Sequence, residues 1–339
     1  MKIKDNTEGG YLLQTTWQGS EISFEVPVPV NYTVEFGGVT NYQTPSNVTY
    51  NSRTGRSRSV SVQYKTEVVT VTVNTCNAGV STQGQTVTIA GTNYTVPSNG
   101  VVSRKVAFGT SYSVSVNNKT SYRAPATQSF TANSVSRSVT MTYVDYVDFG
   151  LSSGLKWAIM NVGATSETNY GSYFSWGNVT ASTAFGINSY KKTNGYNIGT
   201  QEDITPGSSA YDGVRVNMGS PWKMPTAENV QELINAVDYE FTTVNGTNCL
   251  KLMKKTNHSI YLLFPLGGYY NGTNQVDTTS KMQEGIISYI WSTLNIKNVS
   301  PLPEFQKAKT LQLYHNTDTT TAQAGEGIRP CGCNLRGVK

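Results

Sequence analysis

The 339 residues are enough for two or three domains, each with its own core. Hydrophobic residues make up 37% and charged ones 14%, with 31 Gly, 21 Tyr and many Ser, Thr and Asn, which fits a β-rich, turn-laden protein and excludes a coiled coil, a collagen or a charge-driven disordered chain. A net charge of +5, from 26 basic and 21 acidic residues without any Lys/Arg run, is too mild for a nucleic-acid binder, and two His with four Cys leave little for a metal site.

The chain opens MKIKDNTEGGYLLQTTW, with no apolar stretch behind the basic start, so no secretory signal is expected in these residues. No run of about 18 apolar residues occurs anywhere, so no membrane insertion is expected. The front half then repeats itself at an offset of 80 residues. Tyr32-Thr33-Val34 matches Tyr112-Ser113-Val114, Tyr42 matches Tyr122, Pro45 matches Pro125 and Tyr50 matches Phe130. The offset then becomes 79, with Arg58-Ser59-Val60 matching Arg137-Ser138-Val139 and Tyr64 matching Tyr143. A period this long is a repeated domain. Within it apolar and polar residues alternate: Val60, Val62, Tyr64; Val69, Val71, Val73; Tyr112, Val114, Val116; Val139, Met141, Tyr143. Alternation turns one face of a strand inward and the other to water. Short strands between Gly, Asn and Pro turns predict two immunoglobulin-like β-sandwiches, at 1–66 and 67–144. The second repeat resembles modules of surface and phage structural proteins of Bacteroidetes.

The repeats are unequal. The second starts with an extra segment, Val68 to about Ile89, holding at least two strands, where the first has only Met1 to Gly10, with little strand character. The first repeat is therefore expected either to borrow a sheet edge from a neighbouring chain or assembly surface, or to close as a smaller sandwich.

From Val147 the alternation gives way to Trp, Gly and Tyr motifs. Pro225-Thr226 predicts a helix start, with Thr226 as cap, Glu228 in the first turn and Val230, Leu233, Ile234 and Val237 on one face. A weaker helix is predicted from Ser208 to Met218. Trp157 and Trp222 are expected in the core of a loop-rich domain. VDFGLSSGLKWAIMNVGATSETNYGSYFSWGNVT (147–180), PWKMPTAENVQEL (221–233), FPLGGYYNG (264–272), YIWST (289–293) and GIRPCG (327–332) follow in order. Together they resemble the major paralogous domain family abundant in Bacteroidetes. That resemblance implies a C-type-lectin-like domain over 145–339. The expected whole is mainly β with a small α+β part: two immunoglobulin-like sandwiches followed by a lectin-like domain.

The residues argue against catalysis. His258 is expected in a turn and His315 at a strand end, neither inside a GxSxG or HExxH pattern. Acidic clusters are absent and Glu202-Asp203 stands alone. Cys76, Cys249, Cys331 and Cys333 form no spaced framework, so free thiols are expected, with a Cys249 bridge to Cys331 or Cys333 as the alternative. The Glu-Pro-Asn and Trp-Asn-Asp loops of calcium lectins are missing. No enzyme activity, metal or cofactor is expected.

Binding is the chemistry left. Tyr269, Tyr270, Asn271 and Asn274 form one Tyr/Asn-rich loop, and Tyr289, Trp291, Asn295, Tyr314 and Asn316 fall in the later segment that carries ligand loops in hypervariable relatives. Tyr and Asn supply rigid aromatic area and adaptable hydrogen bonds. The expected role is that of a virion decoration or fibre protein of a Bacteroidetes phage. It would attach to other virion proteins through the front modules and form a homo-oligomer. Its last domain would bind a host-surface glycan or protein. The alternative is a bacterial cell-surface adhesin or polysaccharide-binding protein.

Overall fold

In the computed structural model the described residues are 1–16, 22–23, 25–26, 30–52, 58–77, 79–297 and 299–339. The chain is mainly β, with few helices and several sheets. It divides into two compact units. The first holds Met1–Asn74, Val80–Asn117 and Pro125–Thr142; the second holds Thr75–Gly79, Asn118–Ala124 and Tyr143–Lys339.

In the first unit the strands are β1 (Lys2–Asp5), β2 (Tyr11–Gln14), β3 (Val30–Glu35), β4 (Val48–Ser52), β5 (Glu67–Thr75), β6 (Thr86–Ile89), β7 (Thr92–Thr95), β8 (Val101–Val106), β9 (Ser111–Val116), β10 (Gln128–Thr131) and β11 (Ser136–Tyr143). The second repeat makes two sheets, ordered β10-β9-β6-β7 and β11-β5-β8. Val69, Val71, Val73, Val87, Ile89, Val114 and Met141 are all buried, so each sheet turns its apolar face inward, as alternation demands. The first repeat makes one sheet, β2-β1-β3-β4, around Ile3, Tyr32, Val34 and Phe36. The offset reappears in space. Tyr32 tilts against Tyr50 at 5.4 Å as Tyr112 does against Phe130 at 5.8 Å.

Two expectations are corrected here. Met1–Gly10 does carry a strand: β1 lies between β2 and β3, because Ile3 alternates with charged residues and pairs with Val34. Val60, Val62 and Tyr64 form no strand, because no described strand lies beside them in the place that β5 takes beside β11.

The second unit contains β12 (Tyr146–Val147), β13 (Trp157–Asn161), β14 (Tyr173–Phe174), α1 (Ile187–Tyr190), α2 (Asn194–Asn197), α3 (Gly213–Met218), α4 (Ala227–Ala236), β15 (Val237–Val244), β16 (Thr247–Lys254), β17 (Asn257–Pro265), β18 (Tyr269–Tyr270), β19 (Lys281–Met282), β20 (Ile287–Ile296), β21 (Lys307–His315), β22 (Thr320–Ile328), β23 (Cys333–Asn334) and β24 (Arg336–Val338). Its largest sheet runs β14-β23-β20-β21-β22, beside the meander β15-β16-β17 and the hairpin β18-β19. Thr226 caps α4: its hydroxyl accepts from Asn229 N (3.2 Å) while the Asn229 carboxamide accepts from Thr226 N (3.0 Å). Val230 and Leu233 then pack with Trp157, Leu250, Phe264 and Leu311. The helix ends at Ala236 rather than running to Val237, whose β-branched side chain starts β15 opposite Lys254. The other expected helix is confined to Gly213–Met218 and capped by Asp212. Trp157 and Trp222 are core residues, as expected.

The unit's ends lie side by side. β24 pairs with β13, and Lys156 and Lys339 exchange backbone bonds of 2.9 and 3.0 Å. Lys339 Nζ donates to Asn77 Oδ1 (2.6 Å) and pairs with Asp145 (3.2 Å). Its ammonium lies 4.3 Å from the Tyr146 ring centroid and 4.4 Å from that of Trp222.

Among the described residues two arginines are buried whole. Arg329 bonds the Tyr190 hydroxyl (2.9 Å) and the carbonyls of Gly195 and Gly199, under the Trp176 ring. Arg336 bonds Asn161 Oδ1 (2.9 Å) and Leu263 O (2.8 Å), 3.8 Å from the Phe264 ring centroid.

Candidate recognition face

The site is built on β20, β21 and β22, whose register decides which side chains share a face. Tyr289 stands opposite Gln312, and Gln312 opposite Gln323; Tyr314 stands opposite Thr321. Directly opposed residues point the same way, so these five form one polar-aromatic face. The intervening residues Ile290, Leu311, Leu313 and Ala322 point the other way, into the core. Gly325 leaves room for Gln312 to lie across the sheet, since a Cβ there would run into the Gln312 side chain. Tyr269 extends the face from β18, its ring 5.1 Å from that of Tyr289. Burial pushes the Tyr289 hydroxyl up to about 12, with Tyr269 adding to it, and burial likewise raises Tyr269. Both stay protonated and able to donate at ordinary pH.

Successive strand residues alternate, so Tyr270 points away from Tyr269. It packs edge-on against Tyr173 (5.0 Å) and beside Phe185 (5.0 Å). One edge of Tyr270 lines a groove of about 600 Å³ with Asn169, Tyr170, Ser182, Thr183 and Lys281. The Lys281 ammonium sits 4.6 Å from the Tyr170 ring centroid and is held by Glu284 at 2.7 Å. A further hollow, of about 570 Å³, is lined by Glu228, Gln231 and Glu232, but the Glu232 carboxylate is taken up by Ser152 and Ser153.

The residues picked from sequence divide. Tyr269, Tyr289 and Tyr314 come together on the face. Asn274 is exposed at a loop tip, where its carbonyl accepts from Ile187 N. Asn271 is a turn former, its carboxamide oxygen accepting from Thr273 N and Oγ1. Asn316 does the same for Asp318 and Thr319, and its amide donates to the Tyr314 hydroxyl. Trp291 and Asn295 need correction. Trp291 is 0% exposed, with Nε1 donating to Phe174 O (2.8 Å). Asn295 is also buried, bonded to Asp203 Oδ1 and Thr200 O. Neither can reach a ligand. Gln312, Thr321, Gln323, Tyr170 and Lys281 were missed. For Gln312 the signal was present, two residues before Tyr314 on an alternating strand.

The other reactive groups are tied up. All four cysteines are free thiols. Burial pushes Cys76 and Cys249 up to about 11, and raises Cys331 and Cys333 as well, so none is poised as a thiolate. His258 pairs with Asp238 (2.9 Å), and His315 stacks on Phe241 (3.7 Å) and bonds Thr320 Oγ1 (2.7 Å). Among the described residues no group of three or more His, Cys, Asp or Glu is placed to hold a metal ion.

No family model matches this chain, and no curated protein matches it. Among solved structures it is similar to the Bacillus anthracis TIE protein, at 8% identity and a TM-score of 0.22, over 88% of this chain and 56% of that one. The chain thus spans little more than half of that protein's length, and a likeness this distant carries no argument about fold or function.

Proposed function

We propose that this is a non-enzymatic structural and adhesive protein of a virion infecting Bacteroidetes, whose second unit binds a host-surface glycan or protein. The observation that carries the binding role is the face of Tyr269, Tyr289, Gln312, Tyr314 and Gln323 on a rigid sheet. Tyrosine rings stack on sugar rings or apolar patches, and the glutamine amides supply both donors and acceptors. The lectin-like resemblance of 145–339 fits the same reading, supported by the sheet β12-β13-β24, which joins strands from the two ends of that segment. The raised thiols and the engaged histidines support a role without bond-breaking chemistry.

The test is binding of the purified protein to Bacteroidetes cells and to an array of their surface glycans. The double variant Tyr289→Ala/Gln312→Ala is expected to lose at least about tenfold in affinity, the size of a typical recognition hot spot. Unchanged binding would remove this face as the site. A bacterial cell-surface adhesin is the rival reading. Detection of the protein in purified phage particles supports the virion role, and its detection only on bacterial envelopes supports the rival.

A further inference from the structure

The second unit brings an amine, a carboxamide and a carboxylate together at one point. Lys339 Nζ donates to Asn77 Oδ1 at 2.6 Å and lies 3.2 Å from both oxygens of Asp145. The other arm of the same carboxamide, Asn77 Nδ2, donates to Asp145 Oδ2. The three groups thus close a ring of contacts, with the amide oxygen toward the amine and the amide nitrogen toward the carboxylate. The backbone holds each member from a different place. Cys76 N, next to Asn77, donates to Tyr143 O (2.9 Å); Asp145 O accepts from Ile159 N (3.1 Å); and Lys339 exchanges bonds with Lys156.

The site is dry for a lysine. The side chains of Lys339 and Asp145 are each 10% exposed. Among the described residues the other lysines paired with a carboxylate are 23–48% exposed. The rings of Tyr146 and Trp222 lie against the Lys339 ammonium and keep water from it. Taking an ammonium and a carboxylate out of water is unfavourable, and their mutual attraction offsets that only in part. A neutral amide carries no such penalty, so a reaction that discharges the lysine is favoured here.

We propose that Asn77 and Lys339 become joined by an isopeptide bond that the protein forms on itself, with Asp145 as the proton relay. Lys339 Nζ is in contact with the amide oxygen, which puts Asn77 Cγ, one bond further, within its reach. Nζ attacks Cγ; the Nζ–Cγ bond forms and the Cγ–Nδ2 bond breaks. Nζ keeps one of its three ammonium protons. Asp145, which touches both nitrogens, takes the other two in turn and hands them to Nδ2, which departs as ammonium. Nothing is oxidised or reduced, and no outside reactant enters. Holding amine and amide in contact supplies an effective concentration of about 10⁵–10⁸ M, which offsets the low reactivity of a carboxamide. The event happens once per chain, so it is a self-modification and not turnover of a substrate. It stands apart from the recognition face and does not depend on it.

The test is the intact mass of the purified full chain under denaturing conditions, with a cooperative unfolding transition to show that the sample was folded. A mass below that of the sequence by one ammonia is expected, together with a branched proteolytic peptide joining the stretches around Asn77 and Lys339. Lys339→Arg and Asp145→Asn should each restore the full sequence mass and remove the branched peptide. Lys339→Arg keeps the positive charge beside Asp145, so it separates loss of the bond from loss of the fold. Three outcomes would overturn the proposal. One is a folded wild type at its full sequence mass. Another is a loss of ammonia that persists in Lys339→Arg, which would place it elsewhere in the chain. The last is a loss that persists undiminished in Asp145→Asn, which would remove the relay.

Discussion

The front repeats and the second unit bury their chains by different means. In the repeats, ladder bonds satisfy the backbone, and small β-branched side chains fill the space between: Val69, Val71, Val73, Val87, Val114. In the second unit an edge strand, an irregular stretch of β20, a short helix and a turn leave carbonyls pointing inward with no strand to meet them. There the partners are side chains. Arg329 reaches Gly195 and Gly199, Arg336 reaches Leu263, and Trp176 Nε1 reaches Ser292 O at 2.8 Å. A regular sheet can be held by shape and alternation alone; an irregular domain needs polar side chains brought inside to finish its hydrogen bonding. Burial holds Arg336 down at about 9, against the usual value of 12.5, which marks how dry that position is.

Removing one of these internal donors is the largest test of the contrast. Arg336→Ala strands Asn161 Oδ1 and Leu263 O and opens a cavity beside Phe264, so a loss of about 3–5 kcal/mol is expected, read as a lowered unfolding midpoint and faster amide exchange in β13 and β17. An effect below about 1 kcal/mol would mean that these acceptors find other donors.

A smaller effect is expected in the repeats, where one charged pair stands among apolar contacts. Burial raises the Glu67 carboxyl, but bonds from Ser134 N and from Arg137 outweigh it, and the net value lies below the ordinary 4.5. A lowered carboxyl stabilises the fold above its unfolded value, and that contribution disappears as pH falls through the lowered native value. Wild-type stability should therefore drop below about pH 4.5, and Glu67→Gln should flatten that part of the pH profile. A variant profile that still tracks the wild type would assign the acid sensitivity elsewhere. The smallest change is at the α4 cap. Thr226→Ala should cost about 1 kcal/mol in denaturant unfolding, since it breaks one half of a reciprocal pair on a helix otherwise held by packing.

Alternation made the strands of the second repeat legible, and the spacing from Thr226 to Leu233 made α4 legible, because both signals are local. Alternation at Val60, Val62 and Tyr64 misled, since a strand also needs a neighbour and none of the described strands lies beside them. The recognition face was half legible. Tyrosines stand out in composition, but whether they share a face depends on the register between β20 and β21, set by residues far apart in sequence. Trp291 illustrates the limit: its strand and parity match those of Tyr289, yet Phe174, remote in the chain, covers it.

The closure around Lys339 has a mechanical meaning. Because Asp145 and Lys339 meet at one spot, a tug between them loads first that small knot of charge and aromatic rings and the backbone bonds between Lys156 and Lys339.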